Sequence, residues 1–121
     1  MAPENVDGPR LADALRASEA PVLVLVCVCP RGMPGCGCAS KAFEAVASNR
    51  GARLLAFRVD GEAEQAMVRR FGISAMPTIL LFYGGMELAR LTGAIDETGL
   101  DRWLAEREAR LRLQRVRAEP S

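Results

Sequence analysis

The residues of this chain best suited to chemistry are its four cysteines, which all fall within one stretch of twelve residues. They form two Cys-x-Cys pairs, Cys27 with Cys29 and Cys36 with Cys38, and the chain contains no histidine. The lack of histidine excludes Cys–His dyads and histidine-ligated metal sites. Clustered cysteines in an intracellular chain indicate redox chemistry or metal binding more often than structural disulfides.

The spacing of the cysteines predicts a thiol-bearing turn between a strand and a helix. Cys27 and Cys29 end a valine-rich apolar run, which is typical of a strand buried on both faces. A Pro- and Gly-rich turn follows, and Cys36 and Cys38 then lie at or near the first turn of the next predicted helix. The helix dipole and the free backbone N–H groups favour a thiolate at such a position.

Two disulfide arrangements are compatible with this turn. Cys36 and Cys38 would close a small strained ring, and such a disulfide is easily reduced and therefore oxidising. Alternatively, Cys29 pairs with Cys36 and closes the loop of six residues between them. We predict that Cys36 is the attacking thiolate and that Cys38 or Cys29 resolves the mixed disulfide. The nearby charges of Arg31 and Lys41 would stabilise the thiolate.

Metal binding and simple core packing are the alternatives for these thiols. Four thiolates would suffice for zinc or for a [2Fe–2S] cluster. Two of them, however, would have to leave a central strand to reach the turn, so we expect no metal and no cofactor. Cys27 on its own is interpreted as a small core residue.

Length and composition predict one globular domain. The chain has 121 residues, half of them hydrophobic, and a net charge of +1. This charge gives no reason to expect a nucleic-acid partner. The apolar run at 22–29 is too short to cross a membrane, and no secretory leader is apparent. We therefore expect a cytoplasmic monomer that does not bind membranes.

The order of predicted elements is α, β, α, β, α, a β-hairpin and a last α-helix. The first two strands are joined by a helical crossover, which makes them parallel. Residues 1–8 are predicted to be a flexible lead-in, and residues 9–106 form the domain. Residues 107–121 are an Arg-rich extension of the last helix and a tail.

The stretch FGISAMPTILLFYGGMELARLTGAIDETGLDRWL resembles the C-terminal half of thioredoxins. The matching motifs are Phe71-Gly72-Ile73, Met76-Pro77-Thr78, the turn Gly84-Gly85, and Gly93 before the last helix. The first half of the chain fits the same pattern, and the resemblance covers roughly residues 9–106. It implies an α/β, thioredoxin-like fold with a central mixed sheet of four to five strands and helices on both faces.

The resemblance also implies roles for particular residues. In the family, the proline of the motif that matches Pro77 is cis and packs against the active cysteine. The backbone before it pairs with the substrate chain. Met76, Pro77 and Thr78 are therefore the predicted substrate-binding residues, and protein thiols or disulfides are the predicted partners. Cys36 matches the second cysteine of the family motif.

This chain departs from the family pattern in ways that concern activity. It has no Cys-x-x-Cys, and its turn is about two residues longer than usual. The buried aspartate of the family matches Leu25, and the lysine beside it matches Ala56. Proton transfer to and from the thiols therefore lacks its usual acid–base pair. The prediction is a thiol–disulfide oxidoreductase with a non-standard motif. The alternative is a thioredoxin-like binding or assembly module without catalysis.

We predict that the purified protein carries no stoichiometric zinc or iron. Elemental analysis of protein prepared without chelators is the measurement, and a thermal melt with and without a chelator is its control. Binding of a structural metal contributes directly to folding, so a chelator would lower the melting temperature of a metal protein. About one zinc or two irons per chain would replace the redox interpretation by a metal site.

Overall fold

A computed structural model of the chain describes residues 4–17, 22–30, 36–93 and 95–118. The strands are β1 (Glu4–Asn5), β2 (Leu23–Cys29), β3 (Leu54–Asp60), β4 (Thr78–Tyr83) and β5 (Met86–Thr92). The helices are α1 (Gly8–Ala17), α2 (Cys36–Arg50), α3 (Gln65–Arg70) and α4 (Glu97–Ala118). A short 3-10 turn, Gly51–Arg53, joins α2 to β3.

The five strands form one mixed sheet in the order β1-β3-β2-β4-β5. β1 and β2 run parallel to β3, whereas β4 pairs antiparallel with β2 and β5 pairs antiparallel with β4. The crossover through α2 makes β2 and β3 parallel, as the sequence predicts. The two-residue turn at Gly84-Gly85, where both glycines have positive φ, makes β4 and β5 a hairpin. The predicted fold class is confirmed.

β2 lies in the middle of the sheet because its side chains are apolar on both faces. One face carries Val24, Val26 and Val28, which pack with residues of α1 and α3. The opposite face carries Leu23, Leu25 and Cys27, which pack with residues of α2 and α4. Burial of an aliphatic side chain of this size contributes about 1.5–3 kcal/mol. A continuous apolar run of this kind is stable only between two helical layers.

A buried arginine joins the two helices on the second face. The side chain of Arg50 is 8% exposed, and it donates to Asp101 at 2.7 Å and to Glu108 at 3.0 Å. Burial alone would lower the pKa of Arg50, but the hydrogen bonds and charges of the two carboxylates outweigh burial and raise it. The guanidinium therefore stays charged, and it links the end of α2 to α4.

The described part of the predicted lead-in belongs to the folded domain. Glu4 and Asn5 pair with β3, and the Val6 N–H donates to the Arg58 carbonyl at 2.9 Å. Val6 is buried against the core. The prediction of a loose segment over residues 1–8 is corrected for residues 4–8, because the edge of β3 offers backbone groups that a neighbouring strand can pair.

The predicted boundary after residue 106 falls inside one helix. α4 runs without a break from Glu97 to Ala118. Glu108 binds Arg50, and Leu111 packs against the core between the sheet and α2. The first turn of the predicted extension is thus part of the packed domain.

We predict that Arg50→Ala lowers the free energy of unfolding by roughly 1–3 kcal/mol, because it leaves the largely buried Glu108 without its partner. Urea unfolding followed by circular dichroism measures this change. Arg102→Ala, at an exposed position of α4, is the matched control and should change stability by less than about 0.5 kcal/mol. Equal effects of the two substitutions would contradict a special role for the Arg50 ion pairs.

Candidate active site

Cys29 is the last residue of β2 and lies where two parallel strands end together. Its partner in the register of β3 is Asp60, the last residue of that strand. The Gly61 N–H donates to the Cys29 carbonyl at 3.3 Å and extends the pairing by one residue. Ligands of α/β sheets bind at the carboxyl ends of parallel strands, and here that edge carries a sulfur and a carboxylate on neighbouring strands.

Cys29 is disulfide-bonded in this structure, whereas Cys27 is a free, buried thiol. The side chains of Cys36 and Cys38, and the whole of Arg31, lie outside the described residues. The backbone of α2 is described from its first residue, Cys36, and its first turn contains no acidic residue. The structure therefore places Cys36 in the first turn of a helix, as predicted.

The Met76–Pro77 peptide bond is cis, which confirms the expectation taken from the motif. Pro77 is buried, and its carbonyl accepts a hydrogen bond from the Gly93 N–H at 2.9 Å. Thr78 is also buried, and its Oγ1 donates to the Ala75 carbonyl at 2.6 Å. The Thr78 side chain thus stabilises the turn that contains Pro77 and positions this proline. A direct role of Thr78 in substrate binding stays a prediction.

The sheet register brings the proline turn to the Cys29 end of β2. Val28 pairs with Thr78 in the antiparallel ladder between β2 and β4. Continuing this register by one residue sets Cys29 opposite Pro77. Cys29 therefore lies between Asp60 on one neighbouring strand and Pro77 on the other.

The side chain of Met76 lies over Gly61 on the face of the sheet that α1 and α3 cover. A Cβ atom added to Gly61 would be 2.5 Å from both Sδ and Cε of Met76 and 3.1 Å from Cγ1 of Val28. Glycine at this position allows the methionine to approach the backbone closely. Met76 is half-buried, so part of it remains available to another molecule.

The positions that hold the proton-transfer pair in the family are apolar here and face each other. Leu25 and Ala56 are register partners in β2 and β3. Leu25 is fully buried, and both residues pack in the cluster between the sheet and α2. These two positions therefore supply no acid or base for the cysteines at the end of β2 and the start of α2.

Asp60, which is not among the site residues predicted from the sequence, is the carboxylate that the fold brings next to Cys29. Its Oδ1 accepts from the Glu62 N–H at 3.0 Å and from the Ala63 N–H at 3.4 Å. The signal that points to it is its place at the end of the second parallel strand, since parallel neighbours end at the same edge. The cysteine pattern alone contains no such information.

Cys27 is chemically different from Cys29 although both lie on the same face of β2. Burial raises the pKa of Cys27 from 9.0 to about 11, and the positive charge of Arg58 opposes this shift. Arg58 is the register partner of Cys27, and its guanidinium lies 5.9 Å from the ring centre of Phe43. Cys27 is therefore a protonated core residue at neutral pH, in agreement with its predicted role.

A family model described as Thioredoxin matches residues 10–106 of the chain. The chain belongs to the thioredoxin family. This thioredoxin-family chain also shares its fold with the crystal structure of chloroplastic thioredoxin z, with a TM-score of 0.77 and 19% identity. That match covers 90% of this chain and 96% of that chain. Family membership supports a thioredoxin-like redox function in general terms, and the family generally acts on protein substrates.

Across the described ranges, each helix of this family member is too short or too polar to span a bilayer. The side chains described there also contain no group of three His, Cys, Asp or Glu residues arranged to hold a metal ion.

We predict that Cys27 contributes stability that alkali removes. The thiol has a higher pKa in the folded chain than in the unfolded chain, so its contribution is complete below about pH 9 and is lost as the pH rises toward 11. The difference in unfolding free energy between wild type and Cys27→Ala should narrow by about 1 kcal/mol between pH 8 and pH 10. Urea unfolding at both pH values measures it, and an unchanged difference would contradict the raised pKa.

Proposed function

We propose that this thioredoxin-family protein is a thiol–disulfide oxidoreductase whose reactive disulfide joins Cys29 to a cysteine in the first turn of α2. The observation that carries the proposal is the disulfide at Cys29, at the sheet edge between Asp60 and the cis-Pro77 turn. The turn between β2 and α2 is where the family motif places its reactive cysteines.

The partner of Cys29 follows from the cysteine inventory of the chain. There are four cysteines, and Cys27 is free. Cys36 and Cys38 are therefore the two candidates, and we favour Cys36 because it is the first residue of α2. The pair would enclose a loop of six residues in place of the two residues of the family motif.

We assign the attack on the substrate to Cys36. The helix dipole favours a thiolate at the start of α2, the first turn has no carboxylate to oppose it, and Lys41 lies farther along the same helix. In reduction of a substrate, the Cys36 thiolate bonds to one substrate sulfur and the substrate disulfide breaks. The departing sulfur takes a proton.

The second step regenerates the enzyme disulfide. The resolving cysteine, Cys29 or Cys38, loses its proton and attacks the sulfur of Cys36, which releases the second substrate thiol. Two electrons and two protons thus pass from two enzyme thiols to the substrate disulfide. We propose Asp60 as the group that accepts the proton when Cys29 attacks, because the register sets the two residues side by side.

The substrate backbone would lie along Met76 and Pro77. The half-exposed Met76 side chain, supported by Gly61, offers an apolar contact beside the sulfur pair. The hydrogen bond from Gly93 to the Pro77 carbonyl keeps that turn in place. A protein thiol or disulfide in an extended segment is the substrate class that fits; a cytoplasmic location and a monomeric state stay predictions.

The apolar pair of Leu25 and Ala56 is the observation that favours a second candidate, a binding or assembly module without turnover. Without the usual acid and base, catalysis should be slow even if the thiols react. The two functions differ in whether Cys36 is chemically required.

We predict weak but measurable reduction of insulin disulfides with dithiothreitol as the electron source, and its loss in Cys36→Ser. Replacing the resolving cysteine, in Cys29→Ser or Cys38→Ser, should trap a mixed disulfide with an aromatic disulfide reagent, seen as added mass. Cys27→Ala is the matched control and should keep the wild-type rate. Peptide mapping of the oxidised protein identifies the native disulfide.

The opposite result would be a Cys36→Ser protein with full activity and a Cys36 that alkylates no faster than free cysteine at neutral pH. The oxidoreductase proposal would then fail, and the binding module would replace it.

A further inference from the structure

We propose that the groove between α1, α3 and the β4–β5 turn binds a small amphipathic organic anion, with an apolar body and one carboxylate or sulfonate. This groove is a different site from the sulfur pair. β4 begins beside Pro77 and ends at the groove, and its six residues span about 20 Å. The proposal is therefore independent of the redox function.

The groove has the volume and the lining of a small-molecule site. It encloses about 710 Å³, within the range of pockets that hold drug-sized ligands. Its apolar lining has a buried floor and more exposed sides. The floor consists of Leu11, Leu15, Met67 and Phe82, and Ala12, Ala66 and Phe71 are the more exposed apolar side chains. The ring of Phe71 packs edge-on against Phe82, with 5.7 Å between centroids, so these two rings form an aromatic wall.

Two close contacts join the walls of the groove at its two ends. The Gly8 N–H at the start of α1 donates to Oε1 of Glu64, just before α3, at 2.5 Å. At the other end, a Cβ atom on Gly85 would lie 3.2 Å from the Leu15 carbonyl, so the turn approaches the end of α1 closely. These two contacts bound the groove at its ends.

The charges on the groove favour an anion. Arg16 and Arg70 line it, and each lies in the last turn of its helix. Arg70 lies 5.9 Å from the ring centre of Phe71, so a cation sits beside the aromatic wall. Glu64, the carboxylate of the lining, already accepts the Gly8 N–H.

A ligand can compete for these arginines at little cost. Arg16 is paired with Asp13, but both side chains are 72% exposed, and such surface pairs contribute little. An organic anion would keep its charge near the two guanidinium groups and bury its apolar part against Ala12, Ala66 and Phe71, lining side chains that the core does not already cover. Positive charge and apolar surface lie side by side in this groove, and a ligand with an anionic group on an apolar body would contact both.

The test uses two fluorescent probes that share an anilinonaphthalene body. One is 8-anilinonaphthalene-1-sulfonate, and the other is N-phenyl-1-naphthylamine, which lacks the sulfonate and is neutral. We expect saturable binding of the sulfonate with one site per chain, and its displacement by decanoate. Arg16→Ala and Arg70→Ala should each raise its Kd about 3–10-fold and leave binding of the neutral probe within twofold.

Two further variants locate the site. Arg69→Ala is the matched control, because Arg69 adjoins Arg70 in sequence but is not part of the groove lining, and it should change the Kd less than twofold. Ala12→Trp fills the groove from α1 and should abolish binding of both probes. If circular dichroism shows that this variant does not fold, Ala66→Trp fills the groove from α3 instead.

The proposal is overturned by any of three results. These are the absence of saturable sulfonate binding, equal effects of Arg69→Ala and Arg70→Ala, and full binding in a folded variant whose groove is filled by tryptophan. None of these results bears on the cysteine chemistry, since every measurement is made on the oxidised protein and follows probe binding alone.

Discussion

β2 is covered on both faces, by α1 and α3 on one side and by α2 and α4 on the other. Its register with β3 and β4 cannot slip by one residue, because each slip would exchange the two apolar faces and break both packed layers. Cys29 is the residue at which this covered strand reaches the sheet edge. The packing of Val24 to Val28 thus sets the place of Cys29 at the sheet edge.

The same constraint assembles the rest of the site from backbone geometry. Parallel pairing brings Asp60 beside Cys29, and antiparallel pairing brings the Pro77 turn to its other side. Thr78 and Gly93 then hold that turn through hydrogen bonds to backbone groups. The family positions for a buried acid and base hold leucine and alanine, so these two positions contribute nothing to proton transfer.

The two helical layers of this thioredoxin-family domain differ in character. The layer of α2 and α4 is joined by Arg50 and two carboxylates, and it carries the free thiol Cys27 in its core. The layer of α1 and α3 is a separate apolar cluster on the other face of the sheet. A groove of about 710 Å³ with arginines in its lining lies between these two helices and the β4–β5 turn.

Much of this protein follows from local patterns in its sequence. The apolar run before Cys29 and the turn signals predict the order of elements and the mixed sheet, because periodicity and turn chemistry are properties of neighbouring residues. The cis bond at Pro77 is expected from the resemblance of its motif to that of thioredoxins. Only the tertiary structure decided that Asp60 lies beside Cys29, that the segment before α1 adds an edge strand, and that Arg50 reaches Glu108. Each of these depends on contacts between residues far apart in the chain, and such contacts leave no periodic trace in the sequence.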